Sequence, residues 1–182
     1  MATVFTIGHS TRSIDEFIAL LQEHAIEIVV DVRTVPRSRT NPQFNADALP
    51  AALQHFSIDY VHMAALGGLR GRQKSVSPST NGFWENDSFH NYADYALTPP
   101  FQAALAELRD LAARRRCAVM CAEAVWWRCH RRIIADYLVA AGDEVIHILG
   151  PGKADPAALT AAAQKTAQGL VVYPAQAESI RP

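Results

Sequence analysis

The sequence predicts an α/β fold: one domain over residues 1–182, with a mostly parallel five-stranded sheet, a sixth strand available at its edge, and helices on both faces. Three observations predict it. Short β-rich runs alternate with longer helical ones, strand centres such as Ile28-Val29-Val30 are continuously apolar, and a 182-residue chain that is 49% hydrophobic can fill one core.

Thr3–Ile7 reads as the first strand and Gly8-His9-Ser10-Thr11 as the turn after it. Ser13-Ile14-Asp15-Glu16 has the capping-box form, and Ile14, Phe17, Ile18 and Leu21 share one face of the helix it starts. Glu27–Val32 is the second strand. Beyond an Arg- and Pro-rich loop, Asn45 caps a short helix through Phe56, and Ile58–His62 is the third strand. Ala65–Asp87 shows no period, and a loop of that length in a small domain points to function or mobility. Helices follow over Phe89–Leu97 and from Thr98-Pro99-Pro100 to about Arg115. Cys117–Cys121 is the fourth strand, Arg128–Ala141 a helix ended by Gly142, and Glu144–Leu149 the fifth strand. In the C-terminal helix and tail, 149–182, Pro156–Ala167 reads as an Ala-rich helix and Leu170–Tyr173 as an edge strand.

Seventeen Lys+Arg against eighteen Asp+Glu give a net charge of −1, which argues against binding polyanions through bulk charge. Only Lys74, Lys153 and Lys165 are lysines; the other fourteen cations are arginines, whose planar fork suits carboxylates and phosphates. Three cysteines within one short region make a poor disulfide framework. Met1–Ile7 reads as strand rather than leader, and no apolar run is long enough for a membrane span, so the expectation is a cytoplasmic protein without membrane partners.

Ligands of open α/β sheets sit beyond the carboxyl ends of the strands. There the sequence places His9 and Ser10; Asp31, Arg33, Arg37, Ser38 and Arg39; His62 and the Leu66-Gly67-Gly68 turn; and Cys121 and Glu123 with Arg128, Cys129, His130 and Arg131. Plainer roles compete. Asp31 can cap its turn or pair with Arg33, and His9 can hydrogen-bond a loop. His62 and His147 read as satisfied structural histidines, Cys117 as a small buried apolar residue, and Arg114-Arg115-Arg116 as a solvated helix end.

The segment 121–132 is the densest. A helix start offers free N–H groups to an anion, Arg128 or Arg131 can clamp it, and the same helix end lowers a thiol pKa at Cys121 or Cys129. Six residues separate Cys121 from Arg128, one more than the cysteine-phosphatase loop uses, so that reading is set aside. Glu123 is a general acid or base if burial raises its pKa, or else half of a salt bridge to Arg33 or Arg131. Trp126-Trp127 offers a stacking surface for a flat ligand.

Thr6-Ile7-Gly8-His9-Ser10, Asp31-Val32-Arg33 with Pro36 and Ser38, Leu66-Gly67-Gly68, Tyr92-Ala93-Asp94-Tyr95, and Cys121-Ala122-Glu123 with Cys129-His130-Arg131 together resemble the domain of unknown function family 488, DUF488, from about Thr3 to Ile148. The resemblance implies a compact bacterial or archaeal α/β domain and little established chemistry. Its signature positions are His9, Ser10, Asp31, Arg33, Glu123, Cys129, His130 and Arg131; Leu97 stands where related sequences often carry Met.

The leading expectation is a small hydrolase or transferase without a cofactor, acting on a small anionic ligand such as a nucleotide or other phosphate-bearing molecule. Glu123, Asp31, His9 and His130 are its candidate proton-moving residues. Ser10, Arg33, Ser38, Arg128, Cys129, Arg131 and Trp127 are its candidate binding residues. One alternative is a non-catalytic nucleic-acid or nucleotide-binding module using Arg37, Arg39, Arg70, Arg72 and the Trp pair, disfavoured by net charge. The other is a metal or redox protein built on Cys121, Cys129 and His130.

Overall fold

The five predicted sheet strands form. In the computed structural model, which describes residues 1–175, β1 (Thr3–Gly8) leads into α1 (Ile14–Glu23), β2 (Ile28–Asp31), α2 (Leu49–Gln54) and β3 (Asp59–His62). After the long loop come α3 (Asp87–Ala96), α4 (Pro99–Ala112), β4 (Cys117–Cys121), α5 (Arg131–Ala140) and β5 (Glu144–Gly150). An edge strand, β6 (Lys153–Pro156), and a small hairpin of β7 (Gln164–Lys165) and β8 (Val171–Val172) complete the chain. The main sheet runs β3-β2-β4-β1-β5-β6, parallel except for β6.

Period-two alternation splits the core between two faces. Phe5, Ile7, Val29, Ala118 and Met120 pack with Phe17, Leu21 and Leu53 on the α1/α2 side. Val4, Val30, Cys117, Val119 and Cys121 pack with Phe101, Leu108 and Ile134 on the α4/α5 side. The connection leaving β1 therefore covers one face and the connection leaving β4 covers the other, although β1 and β4 are neighbours. Such a divergence opens a crevice at the carboxyl ends of the two strands.

The predicted capping box at Ser13 and Glu16 forms in both directions. Three expected elements are corrected. Pro156–Ala167 is not a helix: Gly152, at φ 64°, turns the chain back so that Lys153–Pro156 pairs antiparallel with β5, and beyond it the Ala157 N–H goes to Val145 O, the Thr160 N–H to the Asp136 carboxylate and Gln164–Lys165 to β8, so distant partners take the backbone groups that a helix would use. The sixth strand is this one; Val171–Val172 pairs with β7 instead of joining the sheet. The short helix starts at Leu49, because Asn45 directs its side-chain carbonyl to the Ser38 N–H (2.7 Å) rather than capping. Of the expected tail, residues 176–182 lie outside the described residues. Among those described, no helix is long and apolar enough to cross a membrane.

Candidate functional site

A cleft of about 360 Å³ opens where β1, β2 and β4 end. His9 enters it from β1, Arg33, Thr34, Val35, Arg37 and Ser38 from the loop after β2, and Gly68 and Leu69 from the loop after β3. Cys121, Ala122 and Glu123 extend β4, with Arg128, Cys129 and His130 before α5 and Phe89 and Tyr92 from α3. The β1 and β4 extensions are tied by His9 N–H to Cys121 O (2.9 Å) and Ser10 N–H to Ala122 O (3.0 Å). Gly8 makes that junction possible, because a Cβ there would lie 1.8 Å from the Glu123 carbonyl oxygen.

The floor is a pair of thiols around a buried cation. The sulfurs of Cys121 and Cys129 stand 3.0 Å apart. The Arg131 Nε–H is directed at both, at 2.9 and 3.2 Å, and the Arg131 backbone N–H donates to Cys129 Sγ at 3.3 Å. Its remaining donors reach Thr6 Oγ1 (3.2 Å) and the Glu123 carbonyl (2.6 Å). Arg131 is 1% exposed, and among the described residues no carboxylate lies within ion-pair distance of it. A buried guanidinium is costly unless a negative charge compensates it. Burial by itself would raise the Cys129 thiol, but the Cys121 S–H, the Arg131 charge and the Arg131 N–H together bring it down to about 6. Burial pushes the Cys121 thiol well up, and its hydrogen bond to Cys129 adds to the rise. The balance therefore favours ionisation at Cys129, the more exposed sulfur, over Cys121.

His130 forms the adjoining wall. Its Nε2–H donates to Val32 O (2.8 Å), which leaves Nδ1 as the unprotonated nitrogen. The ring is held edge-on by Tyr92, 5.1 Å away, whose hydroxyl donates to Leu66 O. A Cβ added at Gly68 would lie 2.5 Å from Nδ1, so the ring's place requires glycine there. Burial is the main cause that lowers the His130 pKa to about 4, and the neighbouring arginines add to it. His9 is also neutral: burial lowers its pKa, Nδ1 bonds Ser10 O (2.8 Å), and Nε2 accepts from Arg33 (3.3 Å).

The sequence-predicted residues divide accordingly. His9, Arg33, Ser38, Glu123, Arg128, Cys129 and His130 line the cleft, and Asp31, Ser10, Arg131 and Trp127 do not. Asp31 is fully buried outside the lining, and its carboxylate takes both Arg33 Nε and Nη2 together with the Tyr60 hydroxyl. Arg33 is held in turn by Asp31 and Phe44 O. Arg131 serves the thiols rather than clamping a ligand, and α5 begins only at Arg131, with its first N–H given to Cys129. The open helix start expected at Arg128 is a 3-10 turn at Trp126–Arg128. Ser10, at φ 49°, belongs to the β1–β4 junction.

Glu123 is exposed and makes no ion pair among the described residues, so neither burial nor the expected salt bridge applies to it. Trp126 stacks on His147 at 4.4 Å, and Trp127 lies outward, 46% exposed. His147 has Nδ1 on Thr6 Oγ1 at 2.6 Å, but its buried Nε2 has no hydrogen-bond partner among the described residues, so it is not the fully satisfied histidine expected. Of the loop arginines, Arg70 is folded back on Gly67 O, Ala64 O and the Tyr95 ring. The thiols and His130 do not form a metal cage: His130 turns Nε2 to Val32, and among the described residues no three His, Cys, Asp or Glu side chains converge on a metal-sized point. Sequence reasoning missed the apolar walls Val35, Leu69, Phe89 and Tyr92, although the helical spacing of Phe89 and Tyr92 beside an aperiodic loop was the available signal.

Residues 13–138, more than half of the chain, match the family described as "Domain of unknown function DUF488". The chain belongs to that family. Comparison with curated proteins and with solved structures finds no match.

Proposed function

We propose that the protein is a cysteine-dependent hydrolase or transferase, with the Cys129 thiolate as nucleophile and a small anion-bearing molecule as substrate. The observation that carries the reading is the charge balance at Arg131: a buried guanidinium with two sulfurs against Nε and no carboxylate partner among the described residues. A thiolate supplies the missing negative charge, and thiolate rather than thiol is the reactive form.

In this reading Cys129 Sγ attacks an electrophilic carbonyl or phosphoryl centre seated in the cleft, and the bond to the leaving group breaks. The leaving group takes its proton from water at the open mouth, and Glu123, the one carboxylate in the lining, then accepts a proton from the incoming water or acceptor as its attack breaks the bond to Cys129 Sγ. His130 Nδ1 accepts a hydrogen bond from substrate or water beside the sulfur. The anionic group pairs with Arg128 and Arg37 at the mouth. Arg128 has no ion pair among the described residues, and Arg37 stands only 3.9 Å from Asp47, both largely exposed. Val35, Leu69, Phe89 and Tyr92 favour a substrate with an apolar body.

Alkylation tests this without a known substrate. Iodoacetamide is expected to label Cys129 with a rate that titrates near 6, against 9.0 for an ordinary thiol, and Cys129→Ser removes that labelling. A profile that rises only near 9 overturns the nucleophile. Anionic iodoacetate is expected to lose about threefold relative to iodoacetamide in Arg128→Ala, the effect of one screened charge. An unchanged ratio removes Arg128 from the binding account.

A further inference from the structure

The two thiols of the cleft floor differ in access and share a partner. Cys121 is 2% exposed, whereas Cys129 is partly exposed in the cleft wall. Their sulfurs are 3.0 Å apart, about 1 Å more than a disulfide bond. The segment joining them, 122–128, contains no buried residue. The third thiol, Cys117, lies four residues back along β4, about 13 Å from Cys121, too far to compete.

We propose that Cys129 and Cys121 are a two-thiol couple that reduces hydroperoxides, Cys129 attacking from the open side and Cys121 resolving from beneath. Cys129 sulfur attacks the terminal peroxide oxygen, the O–O bond breaks, and the departing oxygen takes a proton and leaves as alcohol or water. Cys129 is then a sulfenic acid. Cys121 sulfur attacks Cys129 Sγ, the S–S bond forms as the S–O bond breaks, and the hydroxyl leaves as water with the Cys121 proton. Two thiols and one hydroperoxide thus become one disulfide, one alcohol or water, and one water. A thiol reductant returns the pair to its starting state by exchange. The Arg131 Nε–H, within reach of both sulfurs, stabilises whichever is ionised along the way.

This chemistry shares the ionised Cys129 with the proposed function but needs neither Glu123 nor the anion-binding mouth, so the two can fail separately. The test is one equivalent of hydrogen peroxide on the reduced full-length protein, read by intact mass. The expected product has lost two hydrogens, retains one thiol at Cys117 that labels after denaturation, and reverts with dithiothreitol. Cys121→Ala is expected to stop at the sulfenic acid, trapped on Cys129 by dimedone. The wild-type mass measurement stands whether or not that variant folds. Oxygen added to Cys129 with Cys121 still a free thiol overturns the couple, as does a disulfide between two chains. No reaction with peroxide while iodoacetamide still labels Cys129 at low pH overturns the couple and leaves the proposed function standing. Failure of both reactions removes both.

Discussion

Gly8→Ala is expected to be the most damaging of the glycine-to-alanine changes among the described residues. The new Cβ would lie 1.8 Å from Glu123 O and 2.6 Å from its carbonyl carbon, both backbone atoms, so no side chain can rotate away. To restore an ordinary contact, β1 and the segment after β4 must part by more than about 1 Å. Two hydrogen bonds cross that junction, His9 N–H to Cys121 O and Ser10 N–H to Ala122 O, and a third, Arg131 Nη2–H to Glu123 O, holds the carbonyl that the new Cβ would strike. Weakening them costs about 0.5–1.5 kcal/mol each, and overpacking adds about 1–3 kcal/mol, so about 2.5–7.5 kcal/mol is expected in all. That is a large part of the stability of an ordinary domain, about 5–15 kcal/mol. Urea unfolding measures it, with Gly71→Ala as control, since a Cβ at Gly71 meets nothing within 4 Å. The control is expected to stay within about 1 kcal/mol of wild type. Equal midpoints for the two variants would refute the close approach and the junction built on it.

Two further outcomes follow from buried polar groups. Tyr60→Phe removes the 2.6 Å hydrogen bond to the Asp31 carboxylate and is expected to cost about 1.5–3 kcal/mol in urea midpoint, because the acceptor is charged and sealed from water; a neutral result would show that Arg33 alone satisfies Asp31. Burial lowers His147 and His130 to about 4, against 6.5 in an open chain, so between those values the unfolded state binds more protons and stability falls as the pH is lowered. The loss is complete near pH 4 and on the order of 3 kcal/mol for His147 alone. His147→Gln is expected to flatten the acid limb, and an unaltered limb would remove His147 from it.

The fold was legible because its signals are local and repeated. Apolar runs such as Ile28-Val29-Val30 and the Ser13/Glu16 box each say what their own segment does, and the sheet follows from their alternation. Pro156–Ala167 departs from its composition for the converse reason: alanines favour a helix, but the segment's backbone groups go to Val145, Asp136 and β8, partners recorded in no periodicity. The site divides in the same way. That polar residues gather beyond the strand ends is a property of topology, and the sequence exposes it. Which way an arginine faces is a property of its neighbours. Arg33 and Arg131 read as ligand clamps because Arg next to a strand end usually meets solvent; Asp31 captures one and the two sulfurs capture the other. Arg128, a few residues away, keeps its place in the cleft lining.

The inward turn of Arg131 sets the stability of the oxidised protein against the usual direction. Closing the nine-residue loop from Cys121 to Cys129 is expected to stabilise the fold by about 2.6 kcal/mol through chain entropy. It also erases the thiolate, and with no carboxylate in reach among the described residues the Arg131 guanidinium is left buried without a counter-charge. Breaking a buried pair in this way costs about 3–5 kcal/mol. The second effect is the larger, so the disulfide form is expected to unfold at lower urea than the dithiol form, by about 0.4–2.4 kcal/mol. Arg131→Met, which removes the cation while keeping much of the volume, reverses the order, since only the cross-link then differs between the two forms. Parallel urea titrations of the reduced and peroxide-treated proteins decide the matter. If the oxidised wild type gains the full cross-link stabilisation, the sulfurs were never the counter-charge of Arg131, and the thiolate at the cleft floor loses its physical basis.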